Sequence, residues 1–309
     1  MERAWASTGI GEAAHAALAN GLAGSELWSL LLGVLEQRAA RRTPAEVRQQ
    51  WERDRFVCPA PIDQRTFNEL DSHLLAAASS FEAVELSPLA PLGACSAVGL
   101  TSQNKIVSTV RGTEVVSDPT NLFALECARR LRKVPAQTIK LTTSHRCVRA
   151  QQFPRQPGYA AHFRIFSLAT AGHERKDHGL LVEAMSEHIQ THWNALNRLE
   201  QHGYEFPART VKILATPARE ALRSRIAAGL GGLPVVLETL THDYYDGLRF
   251  MMSARSPSGQ DIPLADGGAF DWLGKLTSNR KLVFVASAVG SQLAAYVFRR
   301  QAAGQRDPG

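Results

Sequence analysis

No run in the 309-residue sequence approaches the roughly 18 consecutive apolar residues that a membrane helix needs. Its most apolar helical stretch, Leu27 to Leu35, is short and leads into Glu36, Arg38, Arg41 and Arg42. The chain begins Met1-Glu2-Arg3 without an apolar segment and small-residue cleavage site, so no secretory signal is expected and a cytoplasmic location is. Cysteine is scarce. Cys58, Cys95, Cys127 and Cys147 are spread over about 90 residues with no C-x-x-C pair, which argues against a zinc knuckle or a dithiol redox motif. The phosphate loop with its lysine and the G-x-S-x-G elbow are also absent, so neither a P-loop site nor a serine hydrolase is supported.

What is present is 44% hydrophobic content, enough to fill a substantial core in one large domain or two modest ones. A net charge of +6 and a pI near 9.3 permit an anionic partner such as a nucleotide, tRNA or an acidic protein. Arg38, Arg41, Arg42 and Arg48 lie on a polar helical stretch and read as a solvated face. His188 and His192 are one helical turn apart, a zinc-compatible spacing, but no third ligand accompanies them and no metal is expected.

Periodicity predicts two helices between about 9 and 53, with Thr43-Pro44-Ala45-Glu46 as cap, first-turn proline and early acid. A helix over Ile62 to Ser80 and a strand over Phe81 to Leu86, stopping at Ser87-Pro88, follow. Ser96 to Leu100 and Lys105 to Val110 read as a hairpin, Leu122 to Leu131 as a helix, and Thr138 to Thr142 and Ala161 to Ala169 as strands. Between the last two, Pro154, Pro157 and Gly158 interrupt regular structure. A long helix from near Leu180 to Glu200, a strand Val211 to Ala215, a helix Pro217 to Ala228, strands near Val235, Arg249 and Val283, and a helix from about Ser291 complete the pattern. The expected class is α+β: an antiparallel sheet flanked by helices. Residues 1–60 form a helical N-terminal extension in this reading, 61–301 the core and 302–309 a disordered tail.

Four segments, in this order, resemble class II aminoacyl-tRNA synthetases, and their local words resemble the histidyl branch. The helix followed by Phe81-Glu82-Ala83-Val84-Glu85-Leu86-Ser87-Pro88 is similar to motif 1, which implies a homodimer. Asp118-Pro119-Thr120 before a helix is similar to the acid and threonine that hold the amino acid in the histidyl branch, although Asp118 or Thr120 also suits a helix cap. His145-Arg146-Cys147-Val148-Arg149-Ala150-Gln151, a loop, and His162-Phe163-Arg164-Ile165-Phe166 resemble motif 2. There a fixed guanidinium binds the ATP α-phosphate and the amino acid carboxylate; Arg149 is the preferred equivalent and Arg146 the second. Asp243-Tyr244-Tyr245-Asp246-Gly247 is similar to the tyrosine pair of the imidazole pocket, and Gly267-Gly268-Ala269-Phe270-Asp271 to the G-G-R-Y-D turn, with a motif 3 strand and helix after it. The resemblance spans roughly 62 to 300. It implies a class II synthetase-like fold and substrate contacts from Asp118, Thr120, Gln151, Phe166, Tyr244, Tyr245, Gly267 and Gly268.

The departures are specific. Gln292 stands where motif 3 carries its arginine, Leu240 and its neighbours where the histidyl branch places another, and Ala269 replaces the arginine of G-G-R-Y-D. The residues for the ammonium group fall near Leu168 and Gly172, with Glu174 as a substitute. The chain ends soon after motif 3, which leaves no room for an anticodon-binding domain. The resemblance therefore implies a non-charging paralogue that binds an amino acid or nucleotide as a regulatory or accessory subunit, with a protein partner. The ATP phosphoribosyltransferase regulatory subunit is the nearest such family. The alternative is an ATP- and Mg2+-dependent ligase acting on a non-tRNA acceptor, with Arg249 or Arg280 reaching the phosphates.

Overall fold

The computed structural model describes residues 11–152 and 160–300. The loop residues 153–159 and the expected tail 302–309 lie outside them. Helices α1 (Glu12–Ala16), α2 (Gly24–Ala40) and α3 (Pro44–Arg53) form the described part of the N-terminal extension, and none of them buries a residue fully. The cap at α3 is as expected. The Thr43 hydroxyl accepts from the Glu46 N–H at 3.3 Å, and the Glu46 carboxylate accepts from the Thr43 N–H at 2.7 Å.

Helix α4 (Gln64–Ala77) starts at an Asp63 cap and buries Phe67, Leu70 and Leu74, spaced as one helical face. Only Glu82–Ala83 (β1) of the expected strand after it is paired, in parallel with a later strand. The expected hairpin between Ser96 and Val110 does not form. The hairpin here joins Leu89–Pro91 (β2) to Thr113–Val115 (β3), and the chain between them is held in turns. The buried Glu114 carboxylate is the reason: it accepts from Gly93 N–H, Cys95 N–H and the Gln103 side chain at 2.8 to 2.9 Å, pulling the segment inward.

Helix α5 (Pro119–Lys133) is capped by Asp118, has proline in its first turn and ends in Arg130, Arg132 and Lys133, which suit the helix dipole. Strand β4 (Ile139–Val148) is longer than expected, as is β5 (His162–His173). Helix α6 (Gly179–Glu200), strand β6 (Thr210–Ala215), helix α7 (Glu220–Ala228), and strands β7 (Val235–Thr239) and β8 (Leu248–Arg255) follow. The glycine-rich segment expected as a turn is strand β9 (Asp261–Phe270), followed by a short helix α8 (Trp272–Thr277), β10 (Leu282–Val289) and α9 (Ser291–Phe298).

Eight strands form one sheet in the order β1-β4-β5-β10-β9-β8-β6-β7, antiparallel except at its two ends, where β1 pairs with β4 and β6 with β7 in parallel. Alternation along each strand gives the sheet two faces. Helices α5 and α8 cover one, where Phe123 and Cys127 pack on Ile139, Ala169, Phe270 and Phe284. Helices α4, α6 and α9 cover the other. His188 and His192 of α6 are fully buried there, and both rings bond the Ser287 hydroxyl, at 2.8 and 2.7 Å. Thr170 bonds the other nitrogen of His188 at 3.0 Å.

Burial holds both imidazoles neutral, His188 well below its ordinary pKa and His192 at about 3. The unfolded chain takes up protons at these histidines below pH about 6.5, and the folded chain does not, so their stabilising contribution is complete above that pH and is lost as pH falls toward 3. Urea unfolding between pH 7 and pH 5 should therefore lose up to about 2.7 kcal/mol per pH unit, two protons at about 1.36 each. His192→Gln should make that slope shallower; an unchanged slope would assign the acid sensitivity elsewhere.

Candidate functional site

Asp118 leaves β3 and begins α5, and its two carboxylate oxygens have separate partners. Oδ1 accepts from the Thr120 N–H at 3.0 Å and the Thr120 hydroxyl at 2.7 Å, which caps the helix. Oδ2 accepts from Arg149 Nη2 at 3.3 Å. Arg149 follows the end of β4 and is fixed a second time, its Nε donating to the Ser117 carbonyl at 3.0 Å, while its guanidinium lies 5.1 Å from the Phe163 ring. Capping and ion pairing thus coexist at Asp118.

These groups line a cavity of about 350 Å3 on the face covered by α5. Gln151, Thr120, Tyr244, Tyr245 and Gly267 reach the same cavity, so the structure brings together Asp118, Thr120, Arg149, Gln151, Gly267 and both tyrosines. Gly247 turns the chain after the tyrosine pair, with φ 73° in the left-handed region, and lets it enter β8 at once. Tyr244 meets the rings of Tyr245, Phe270 and Trp272 edge-on, at 5.0, 5.5 and 6.2 Å between centroids. Burial raises the phenol pKa of both tyrosines, so both stay protonated.

Behind Tyr245 lies a second ion pair. Asp266 of β9 receives Arg249 Nε at 2.9 Å and Nη2 at 2.6 Å, and the Tyr245 hydroxyl donates to it at 2.8 Å. Arg249 also meets His242 at 2.9 Å. It is committed to Asp266 and is not in the cavity wall. Arg280 lines a different cavity of about 710 Å3, together with Arg219, Asp246, Ala269 and Glu174, and of the residues expected to contact substrate Glu174 alone is there. The smaller cavity is the better candidate because it unites a fixed guanidinium, a carboxylate and an aromatic wall.

Three expected residues are placed elsewhere. Phe166 is fully buried on the opposite face, edge-on to His192, because strand alternation turns it away from the α5 side. Arg146 also points away from the cavity, bonding His162 at 2.8 Å with its guanidinium 5.6 Å from the Phe67 ring. Gly268 sits beneath the site: a Cβ there would stand 2.3 Å from the Leu248 carbonyl and 2.6 Å from Tyr245, so its role is close approach. Of the positions expected for ammonium contacts, Leu168 is in the opposite core, Gly172 packs on Leu180, and Glu174 accepts from Leu180 N–H at the start of α6. The residue that β5 does send into the cavity is Ile165.

Cys95, Lys105, Asn121, Ile165 and Asp266 line the cavity without having been singled out from sequence. Asp266 was readable once 261–270 is taken as a strand, since it shares a face with Gly268 and Phe270. Burial pushes the Cys95 thiol up to about 11, so it is no nucleophile at neutral pH.

An antiparallel sheet with a parallel strand at each edge, flanked by helices, is the class II aminoacyl-tRNA synthetase-like fold, as similar solved structures show. Solved structures similar to it include the following three. An ATP phosphoribosyltransferase regulatory subunit/histidyl-tRNA synthetase from Bacillus halodurans C is similar at 14% identity and TM-score 0.61, over 77% of this chain and 81% of that one. Apo histidyl-tRNA synthetase of S. aureus is similar at 14% identity and TM-score 0.58, over 78% and 69%. A threonyl-tRNA synthetase, ThrRS-1 of Aeropyrum pernix, is similar at 13% and 0.57, over 74% and 58%. No family model and no curated protein matches the sequence.

Gly268→Ala should destabilise the chain by at least about 2 kcal/mol in chemical unfolding, because its methyl group meets backbone on a central strand. Gly231→Ala, with nothing within 4 Å of the added carbon, is the control. Equal midpoints for the two variants would contradict this packing.

Proposed function

We propose that the chain is a non-charging paralogue of histidyl-type synthetases that binds an amino acid in the 350 Å3 cavity and acts as a regulatory or accessory subunit, as a homodimer with a protein partner. The observation that carries this reading is the pairing of Arg149 with Asp118 by a single long contact of 3.3 Å. A zwitterion has its two charges one carbon apart. Its carboxylate suits the guanidinium and its ammonium the aspartate, so the ligand replaces one weak contact by two charge-assisted ones.

ATP with Mg2+ is the cofactor pair that the fold family implies, and the residues present do not fit it. Two cations in the cavity wall, Arg149 and Lys105, face two carboxylates, Asp118 and Asp266, leaving little charge for a triphosphate. Gln292, at the motif 3 position, is 1% exposed, has no hydrogen-bond partner among the described residues and is outside the cavity wall. Leu240 is core, packed in one cluster with Tyr245. Among the described residues, no group of three or more acidic, histidine or cysteine side chains is arranged to hold a metal ion. The accessory role draws on the Bacillus halodurans neighbour, an ATP phosphoribosyltransferase regulatory subunit/histidyl-tRNA synthetase. No helix among the described residues is long and apolar enough to cross a membrane.

The second reading is a ligase that adenylates an amino or carboxylic acid for a non-tRNA acceptor. Lys105 favours it, being exposed at the cavity with no ion-pair partner among the described residues. Calorimetric titration with the twenty amino acids, together with pyrophosphate exchange, separates the two. Binding of at least one amino acid without exchange is expected, and Arg149→Ala should weaken it at least about tenfold, the loss of one charge-assisted bond. Exchange with any amino acid would replace the accessory reading by the ligase.

A further inference from the structure

Resting on the reading of this cavity as an amino acid site, we propose that its ligand is an amino acid with an uncharged aromatic side chain. The head group is fixed by Arg149 and Asp118, so the remainder of the ligand extends toward Tyr244. The wall there is aromatic: Tyr244 already makes edge-on contacts with Tyr245, Phe270 and Trp272. Such rings offer polarised edges and faces to one more ring at little entropic cost.

The floor is made of small residues. Ala286 and Ala288 of β10 lie beside Gly268 and Asp266 of β9 in register, and the Tyr245 ring packs on Gly268, so the room for a planar group is over the two alanines. Next to it, β5 contributes Ile165, whose side chain has no hydrogen-bonding group. An imidazole placed against Ile165 loses water bonds without gaining a partner from that side chain.

Charge at this end points the same way. Asp266 is the titratable acid present, and three bonds already commit it: two from Arg249 and one from Tyr245. A cationic side chain has to displace Arg249 from a bidentate pair to use it, and an anionic one is repelled by it. The volume of about 350 Å3 is at the small end for ligand sites, suited to one amino acid and not to an amino acid with a nucleotide.

The test is a binding panel on the full chain by calorimetry: phenylalanine, tyrosine and tryptophan against histidine, glutamate, lysine and alanine. At least one aromatic member should bind ten or more times tighter than histidine, glutamate and lysine. In Ala288→Phe, which fills the floor, aromatic binding should weaken at least tenfold more than alanine binding. Ile165→Gln, which restores a polar group, should narrow the gap between aromatic ligands and histidine, and it decides the matter if the bulkier variant does not fold. Histidine or a charged amino acid binding as tightly as every aromatic one overturns this inference and leaves the amino acid site standing. Binding of no amino acid overturns both.

Discussion

Asp118 is a single carboxylate that holds two parts of the site together. One oxygen ends the backbone path of β3 by capping α5, and the other reaches across to Arg149. The helix so started covers one face of the sheet with Phe123 and Cys127, and burying a side chain such as Phe123 is worth about 1.5 to 3 kcal/mol. The guanidinium so held sits at the mouth of the space between that helix and the sheet. The cap that builds the core and the charge pair that faces a ligand are therefore one group, and neither can be changed alone.

A second carboxylate repeats the arrangement deeper in. Asp266 fixes Arg249 and Tyr245 in one network, and the two glycines that follow it let the strands and Tyr245 pack closer than any side chain would permit. Both ion pairs are internally balanced, which suits a site for a small, overall neutral ligand better than one for a highly charged one. The segment from 54 to 61 closes over the β4–β5 hairpin from outside: Arg55 donates to the carbonyls of Ala150 and Gln151 at 2.9 Å, and the Cys58 carbonyl bonds His162 at 2.7 Å. The N-terminal extension is thus tied to the strands that carry Arg149.

Much of this was legible in the amino-acid sequence, for reasons that can be named. Helices α3 and α5 carry caps and first-turn prolines, and α6 a 3.6-residue period, which are local signals. Asp118, Thr120, Arg149 and the tyrosine pair stand in the short words that drew attention in the sequence, and all of them line the cavity. What was hidden depends on contacts distant in sequence. Glu114 overrode the strand-like composition of Ser96 to Val110 by collecting N–H groups from Gly93 and Cys95, and no local pattern announces a buried carboxylate. Phe166 and Leu168 were misplaced because one residue of strand phase exchanges the two faces of a sheet. Gly267 and Gly268 read as a turn because glycine is rare inside strands; here it marks the close approach of neighbouring backbone.

The central claim, that the Arg149–Asp118 pair receives a zwitterion, is tested most directly by a crystal structure of the chain with a bound amino acid. The account predicts a carboxylate within about 3 Å of the Arg149 guanidinium and an ammonium group within the same distance of Asp118, with the side chain against Tyr244. A ligand seated instead in the 710 Å3 cavity beside Arg280, with the Arg149–Asp118 contact unchanged, would contradict it.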